Sequence, residues 1–165
     1  MNEQRKILLE NLNKNNLDQL KHEIILYIKK YPGDYFGYNI QGIYQERIDD
    51  YKSSYDSFLK AEELSVDNIN IKINIGRILL KLSKNDEAIE KFLEAKNIDK
   101  NNFHPLFFLS NIFFNRTQYE EALNYLEKAN DIQQNNIVVL EMIGLSNLHL
   151  QRFSVAEKIY ENLIS

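Results

Sequence analysis

The residues able to do chemistry in this chain are few and scattered. Its histidines are His22, His104 and His149. None lies four residues from another, the spacing that would set two imidazoles on one helical face to hold a metal. Cysteine is absent, which excludes disulfide frameworks, thiolate metal sites and cysteine nucleophiles. There is no glycine-rich phosphate loop and no nucleophile elbow. Carboxylate pairs occur at Asp49–Asp50, Glu62–Glu63 and Glu120–Glu121. They read as solvated outer faces and complements to helix dipoles, not as a general acid and its base. Asn115-Arg116-Thr117 matches a glycosylation acceptor in its letters, but no secretion signal accompanies it. The expectation is a protein that is no enzyme and needs no cofactor or metal.

Whatever the chain does must then come from shape and surface. Its 165 residues, 44% hydrophobic and 27% charged, suffice for one domain with a continuous core. Five glycines and two prolines argue against a turn-rich β architecture and for long, uninterrupted helices. A net charge of −4 suits a nucleic-acid backbone poorly. The richest apolar stretch, Leu106 to Phe114, is broken by Ser110 and Asn111 and is too short to span a bilayer. The N-terminus lacks the apolar run of a signal peptide. No nucleic-acid or membrane partner is expected, and a cytoplasmic location is.

The elements that position the surface are announced by a repeat. Gly42, Gly76 and Gly144 are separated by 34 and 68 residues, and Ser110 fills the missing step. Twelve residues after each stand Ser54, Ala88, Ala122 and Ala156, and seven further on Ala61, Ala95 and Ala129. Between them a bulky residue recurs, as Phe58, Phe92, Leu126 and Tyr160. Small residues at a fixed phase let two helix backbones approach closely, and the bulky one plugs the remaining gap. The period therefore predicts two antiparallel helices per 34 residues. Asp34, Asn68, Asn102 and Asn136 stand where they would cap the first helices. Asn15, Asp49, Ser83 and Thr117 recur where the second helices start, and Thr117–Glu120 and Ser83–Asp86 have capping-box spacing.

This pattern closely resembles the tetratricopeptide repeat, and Leu109 to Asn136 is the best-matching copy. The frame divides a single domain, 1–165, into a degenerate copy at 1–34, full copies at 35–68, 69–102 and 103–136, and a last copy at 137–165 without its closing loop. In the first copy Leu8 stands where the glycine is expected, although Leu17, Leu20, Ile24 and Pro32 keep their phases. The resemblance implies an all-α, right-handed α-solenoid of antiparallel helix pairs. The first helices would line a concave groove, and the protein would be a non-catalytic protein–protein interaction scaffold. The expected partner is a peptide or amphipathic helix.

Carried residue by residue, the family's groove phases fall on Asn39, Ile43, Arg47, Asn70, Asn74, Arg77, Lys81, His104, Phe107, Phe108, Asn111, Phe114 and Leu145. Cations at such phases (Arg5, Lys6, Arg47, Arg77, Lys81) cluster in the first three copies, and apolar residues in the last two. The partner is thus expected to turn acidic or polar residues toward the former and apolar anchors toward Phe107, Phe108 and Phe114. Asparagines at these phases could grip a peptide backbone, similar to the ladder of O-linked N-acetylglucosamine transferases. That ladder keeps one phase, whereas Asn39, Asn74 and Asn111 occupy three. The Lys, Asn, Asn, Lys, Arg pattern that grips chaperone C-terminal tails is missing, which argues against that ligand. In the last helix Ile159, Tyr160, Leu163 and Ile164 form an apolar stripe with nothing following to cover it. Self-association through that helix is one alternative. An N-terminal substrate-positioning region of a larger enzyme, such as a glycosyl- or sulfotransferase, is the other.

Overall fold

The computed structural model describes residues 3–164, and of Ile164 only the backbone. Ten helices and no strand occupy the described residues: α1 (Glu3–Asn13), α2 (Leu17–Lys30), α3 (Tyr35–Arg47), α4 (Tyr51–Leu64), α5 (Ile69–Lys81), α6 (Asn85–Ile98), α7 (Phe103–Asn115), α8 (Tyr119–Ile132), α9 (Ile137–His149) and α10 (Phe153–Ile164). They form two compact units, Met1–Lys91 and Phe92–Ser165, whose border falls inside α6. In the first unit α1 packs on α2, α2 on α3, α3 on α4 and α4 on α5. In the second α7 packs on α8, α8 on α9 and α9 on α10. None of the described helices is long and apolar enough to cross a membrane.

The first helices begin where the asparagines and Asp34 predict. Asp34 accepts from the Phe36 N–H, Asn68 from Ile71, Asn102 from His104 and Asn136 from Val139. The second helices correct the sequence reading. Asn15, Asp49 and Thr117 are not the caps of α2, α4 and α8; with Ser83, each sits at a φ of 54 to 60°, just past the end of a first helix. They are left-handed closing residues, and Gln151 is a fifth. The next residue's N–H reaches back five positions each time: Asn16 to Asn11, Asp50 to Gln45, Lys84 to Leu79, Gln118 to Phe113 and Arg152 to Asn147, at 2.8–3.0 Å. That satisfies carbonyls a helix end would otherwise leave bare. The caps of α2 and α4 lie one residue later, at Asn16 and Asp50, and Gln118 gives α8 no side-chain cap.

Packing follows the small-residue phases. A Cβ placed on Gly42 would lie 2.6–2.8 Å from three ring carbons of Phe58, which is fully buried. The Ser54 hydroxyl donates to the Gly42 carbonyl at 2.8 Å, tying α4 to α3 where they come closest. Gly144 meets the Tyr160 ring in the same way, at 2.8 Å. The first unit's core gathers Leu8, Leu12, Leu20, Ile24, Tyr27 and Ile40. The second unit has a cluster of Ala122, Leu126 and Val139 with aromatic neighbours. One carboxylate pair is misplaced by the sequence reading. Glu62 is not on a solvated face: its side chain is 15% exposed and accepts from Lys72 Nζ at 2.9 Å and Lys91 Nζ at 3.0 Å.

Two substitutions test these contacts by urea denaturation. Gly42→Ala is expected to destabilise by about 1–3 kcal/mol, because the buried Phe58 ring has nowhere to go. Thr117→Gly is expected to stabilise by about 1 kcal/mol, since a β-branched residue resists positive φ. A stabilised Gly42→Ala, or a Thr117→Gly variant less stable than the parent, would contradict the close approach or the turn.

Candidate binding cleft

The groove residues expected of the first unit converge on one cleft. Ile43, Glu46 and Arg47 come from the last turns of α3, and Asn74, Arg77 and Lys81 from one face of α5. Asp49 and Tyr51, from the turn into α4, close one end. Together they line a space of about 500 Å³. The helical period of 3.6 residues explains the convergence, since 43 and 47, like 74, 77 and 81, fall on single helix faces. Asn39 lies on the α3 face and is linked to the cleft, because the Asn74 amide donates to its side-chain oxygen at 3.1 Å. Asn70, a turn below on α5, is exposed.

The cations there are not equivalent. Arg77 Nη2 donates to Glu46 Oε1 at 2.6 Å, and its other arm reaches Asn74 Oδ1 at 3.4 Å. Its charge is neutralised within the protein. Arg47 Nη1 donates to the Leu12 carbonyl and, at 3.1 Å, to Asn15 Oδ1; these acceptors are neutral, so they leave its charge uncompensated. Lys81 has its ammonium 6.0 Å from the centre of the Tyr51 ring. The Tyr51 hydroxyl donates to Asp49 Oδ1, and that bond pushes the phenol's pKa up. The sequence reading missed Asp49 and Tyr51; the repeated phase of Asp49 marked the turn but not which way the turn faces.

Arg5, counted among the groove cations, is engaged elsewhere. Its guanidinium donates to both Asp34 oxygens, at 2.7 and 2.6 Å from Nη2, and lies 4.8 Å above the Phe36 ring. The Tyr27 hydroxyl donates to the same carboxylate. Burial alone would raise the pKa of Asp34, but Arg5, Tyr27 and the Phe36 N–H outweigh it and leave it lowered.

In the second unit the expected residues divide. Phe107 stacks on Phe103 at 5.4 Å between ring centres, and with Phe114 packs on the Ala122–Leu126–Val139 cluster. Phe108 stacks on Phe92 at 4.9 Å. These rings, half-buried, serve the core as well as the surface. Asn111 turns its amide back to the Phe107 carbonyl at 2.8 Å. His104 is exposed at the start of α7. On α9, Leu145 is 42% exposed and joins Val138 and Leu148 on an open apolar face. In the last helix Ile159 and Leu163 are half-buried, and Tyr160 faces inward against Gly144. The side chain of Ile164 lies outside the described residues. Among the described side chains of α10, Phe153 and Val155 are exposed.

A family model of the tetratricopeptide repeat matches residues 69–102 and 104–136. Those two stretches are tetratricopeptide repeats. Solved structures with the same fold include MamA of Desulfovibrio magneticus, 16% identical, with a TM-score of 0.86 over 98% of this chain and 91% of that one. PilF of Pseudomonas aeruginosa is 17% identical, with a TM-score of 0.87 over 96% and 72%. YrrB, described as a TPR protein with an unusual peptide-binding site, is 16% identical, with a TM-score of 0.77 over 96% and 81%. At these identities the likeness is one of fold. No curated protein sequence matches the chain. The cleft is built by α3 and α5, and α5 is the first helix of the matched stretch 69–102.

The Arg5–Asp34–Tyr27 cluster carries a pH signature. A lowered carboxylate pKa stabilises the fold above the unfolded value, near 3.8, and that contribution is lost as pH falls through the folded value. Asp34→Asn keeps an oxygen to cap α3 but removes the charge. It is expected to cost about 1–3 kcal/mol at neutral pH and progressively less below pH ~4. A cost that stays constant in acid would mean the ion pair contributes nothing.

Proposed function

We propose that this chain is a non-catalytic protein-interaction module and that its first unit binds a peptide or amphipathic helix of a partner protein in the Ile43–Arg47–Asn74–Lys81 cleft. The tetratricopeptide repeat is an interaction fold, which supports the general reading. The specific one rests on a single observation: Arg47 and Lys81, on adjacent first helices, present two positive charges to one open space where Asp49 supplies the one carboxylate not paired with Arg77, so the cleft keeps a net positive charge. An acidic residue of the partner would balance the charge that Asp49 leaves over, while Ile43 offers it an apolar contact. Asn74 offers an amide to an extended backbone. The peptide-binding site of the fold neighbour YrrB agrees with such a use of the fold. In the second unit, the exposed face of Val138, Leu145 and Leu148 suits apolar anchors of the partner.

Peptide display on the whole protein tests this. Selected binders are expected to be acidic, and calorimetry should show at least about a tenfold loss of affinity in Lys81→Glu. Arg47→Glu should behave alike, but it also loses its bond to the Leu12 carbonyl, so Lys81→Glu is the cleaner variant. Binders that keep full affinity for a folded Lys81→Glu protein would remove the cleft from the mechanism.

A further inference from the structure

A second surface of the first unit, on the opposite side of α3 from the cleft, is incomplete in a specific way. Lys21, Ile24 and Ile25 of α2 face Gln41, Tyr44 and Gln45 of α3 across an open recess of about 130 Å³. At about 100° per residue, positions 41, 44 and 45 together point about 160° away from positions 43, 46 and 47, so the recess and the cleft lie on opposite sides of α3. The same six phases, 34 residues on, are Tyr55, Phe58 and Leu59 of α4 and Ile75, Ile78 and Leu79 of α5. There Phe58, Ile75 and Ile78 are 0% exposed and Leu79 1%. One junction between neighbouring repeats is thus dry and filled. The other, with Lys for Tyr and Gln for Ile and Leu, leaves a hole one aliphatic side chain wide.

The rim of that hole is both greasy and positive. Ile25 is 57% exposed and Leu26 49%, the two bare aliphatics in the middle of α2. Lys21, Lys29 and Lys30 surround them, all exposed, and none is ion-paired with a carboxylate among the described residues. The acid on this face is Asp18, at the start of the helix, and the neighbouring Glu23 is held by Gln19 at 2.8 Å. On α4, by contrast, exposed Lys60 pairs with Glu63 at 2.6 Å.

The geometry points to a second docking site on this outer face, for an acidic amphipathic helix of a partner protein. It seats one aliphatic side chain in the recess between Ile25 and Tyr44 and sets carboxylates against Lys21 and Lys29. Lys21, Ile25 and Lys29 follow one another at four-residue spacing, so a partner helix lying along α2 meets charge, apolar and charge in turn. The Gln41 amide, which lines the recess, can donate to a carboxylate at its mouth. The site needs nothing from the cleft.

The test uses the whole protein and a fluorescein-labelled synthetic helix of about 16 residues, with leucine on one face and glutamate on the other. Binding to the wild type is expected to weaken as salt rises. It is expected to fall at least about tenfold in Lys21→Glu/Lys29→Glu, whose exposed side chains can change without unfolding the protein. Lys81→Glu should bind it as the wild type does. Three results overturn the proposal: no binding, equal binding to the α2 variant, or loss in Lys81→Glu alone, which places the peptide in the cleft. Vesicles containing phosphatidylserine are a further arm. If they bind through Lys21 and Lys29 and the peptide does not, the face is a membrane contact and the proposal fails.

Discussion

Close approach of paired helices is the constraint on which the rest of this structure depends. At Gly42 there is no room for a methyl group, because the Phe58 ring already fills the space, and Ser54 uses the same proximity to bond the Gly42 carbonyl. At Gly144 the Tyr160 ring does likewise. Once two helices are locked at that distance, their remaining faces are fixed in direction. Residues at 43, 47, 74, 77 and 81 then converge without any loop being required to bring them together. The cleft is a consequence of backbone packing, and its chemistry can vary while its shape does not.

That division explains what could be read from the sequence. Spacing of small and bulky residues is a direct record of backbone proximity, so the helices and the caps at Asp34, Asn68, Asn102 and Asn136 were legible. Positive φ leaves no comparable record in a chain where the closing residue is Asn, Asp, Ser, Thr or Gln. Asp49 and Thr117 were therefore mistaken for caps of the following helix, one residue out of place. Side-chain partnerships across repeats were also hidden. Arg5 with Asp34, and Arg77 with Glu46, pair over 29 and 31 residues, and phase alone assigns each cation to a face without saying what neutralises it.

The aromatic residues show the same limit from another side. Phe107, Phe108 and Phe114 occupy surface phases, and each nevertheless leans on a core ring or cluster. Phase fixes the direction of a Cα–Cβ bond, but a ring is long enough to bend back from that direction and cover its neighbours. Short or branched side chains such as Leu145 cannot do this, and Leu145 is left 42% exposed.

Repetition also makes the departures interpretable. Where a polar residue replaces an apolar one at a phase that is buried one repeat later, the local energetics are known from the intact copy: Ile75, Ile78 and Leu79 show how much apolar surface that junction can hide. Gln41, Tyr44 and Gln45 hide less, and α2 faces them with Lys21 in place of an aromatic ring. A core position that goes polar in a solenoid sacrifices burial at a junction its neighbours do not share, since each repeat leans only on the next. The cost stays local, so the fold tolerates it. The exposed Ile25 and Leu26 beside it then mark a junction that would gain by burying another chain's side chain.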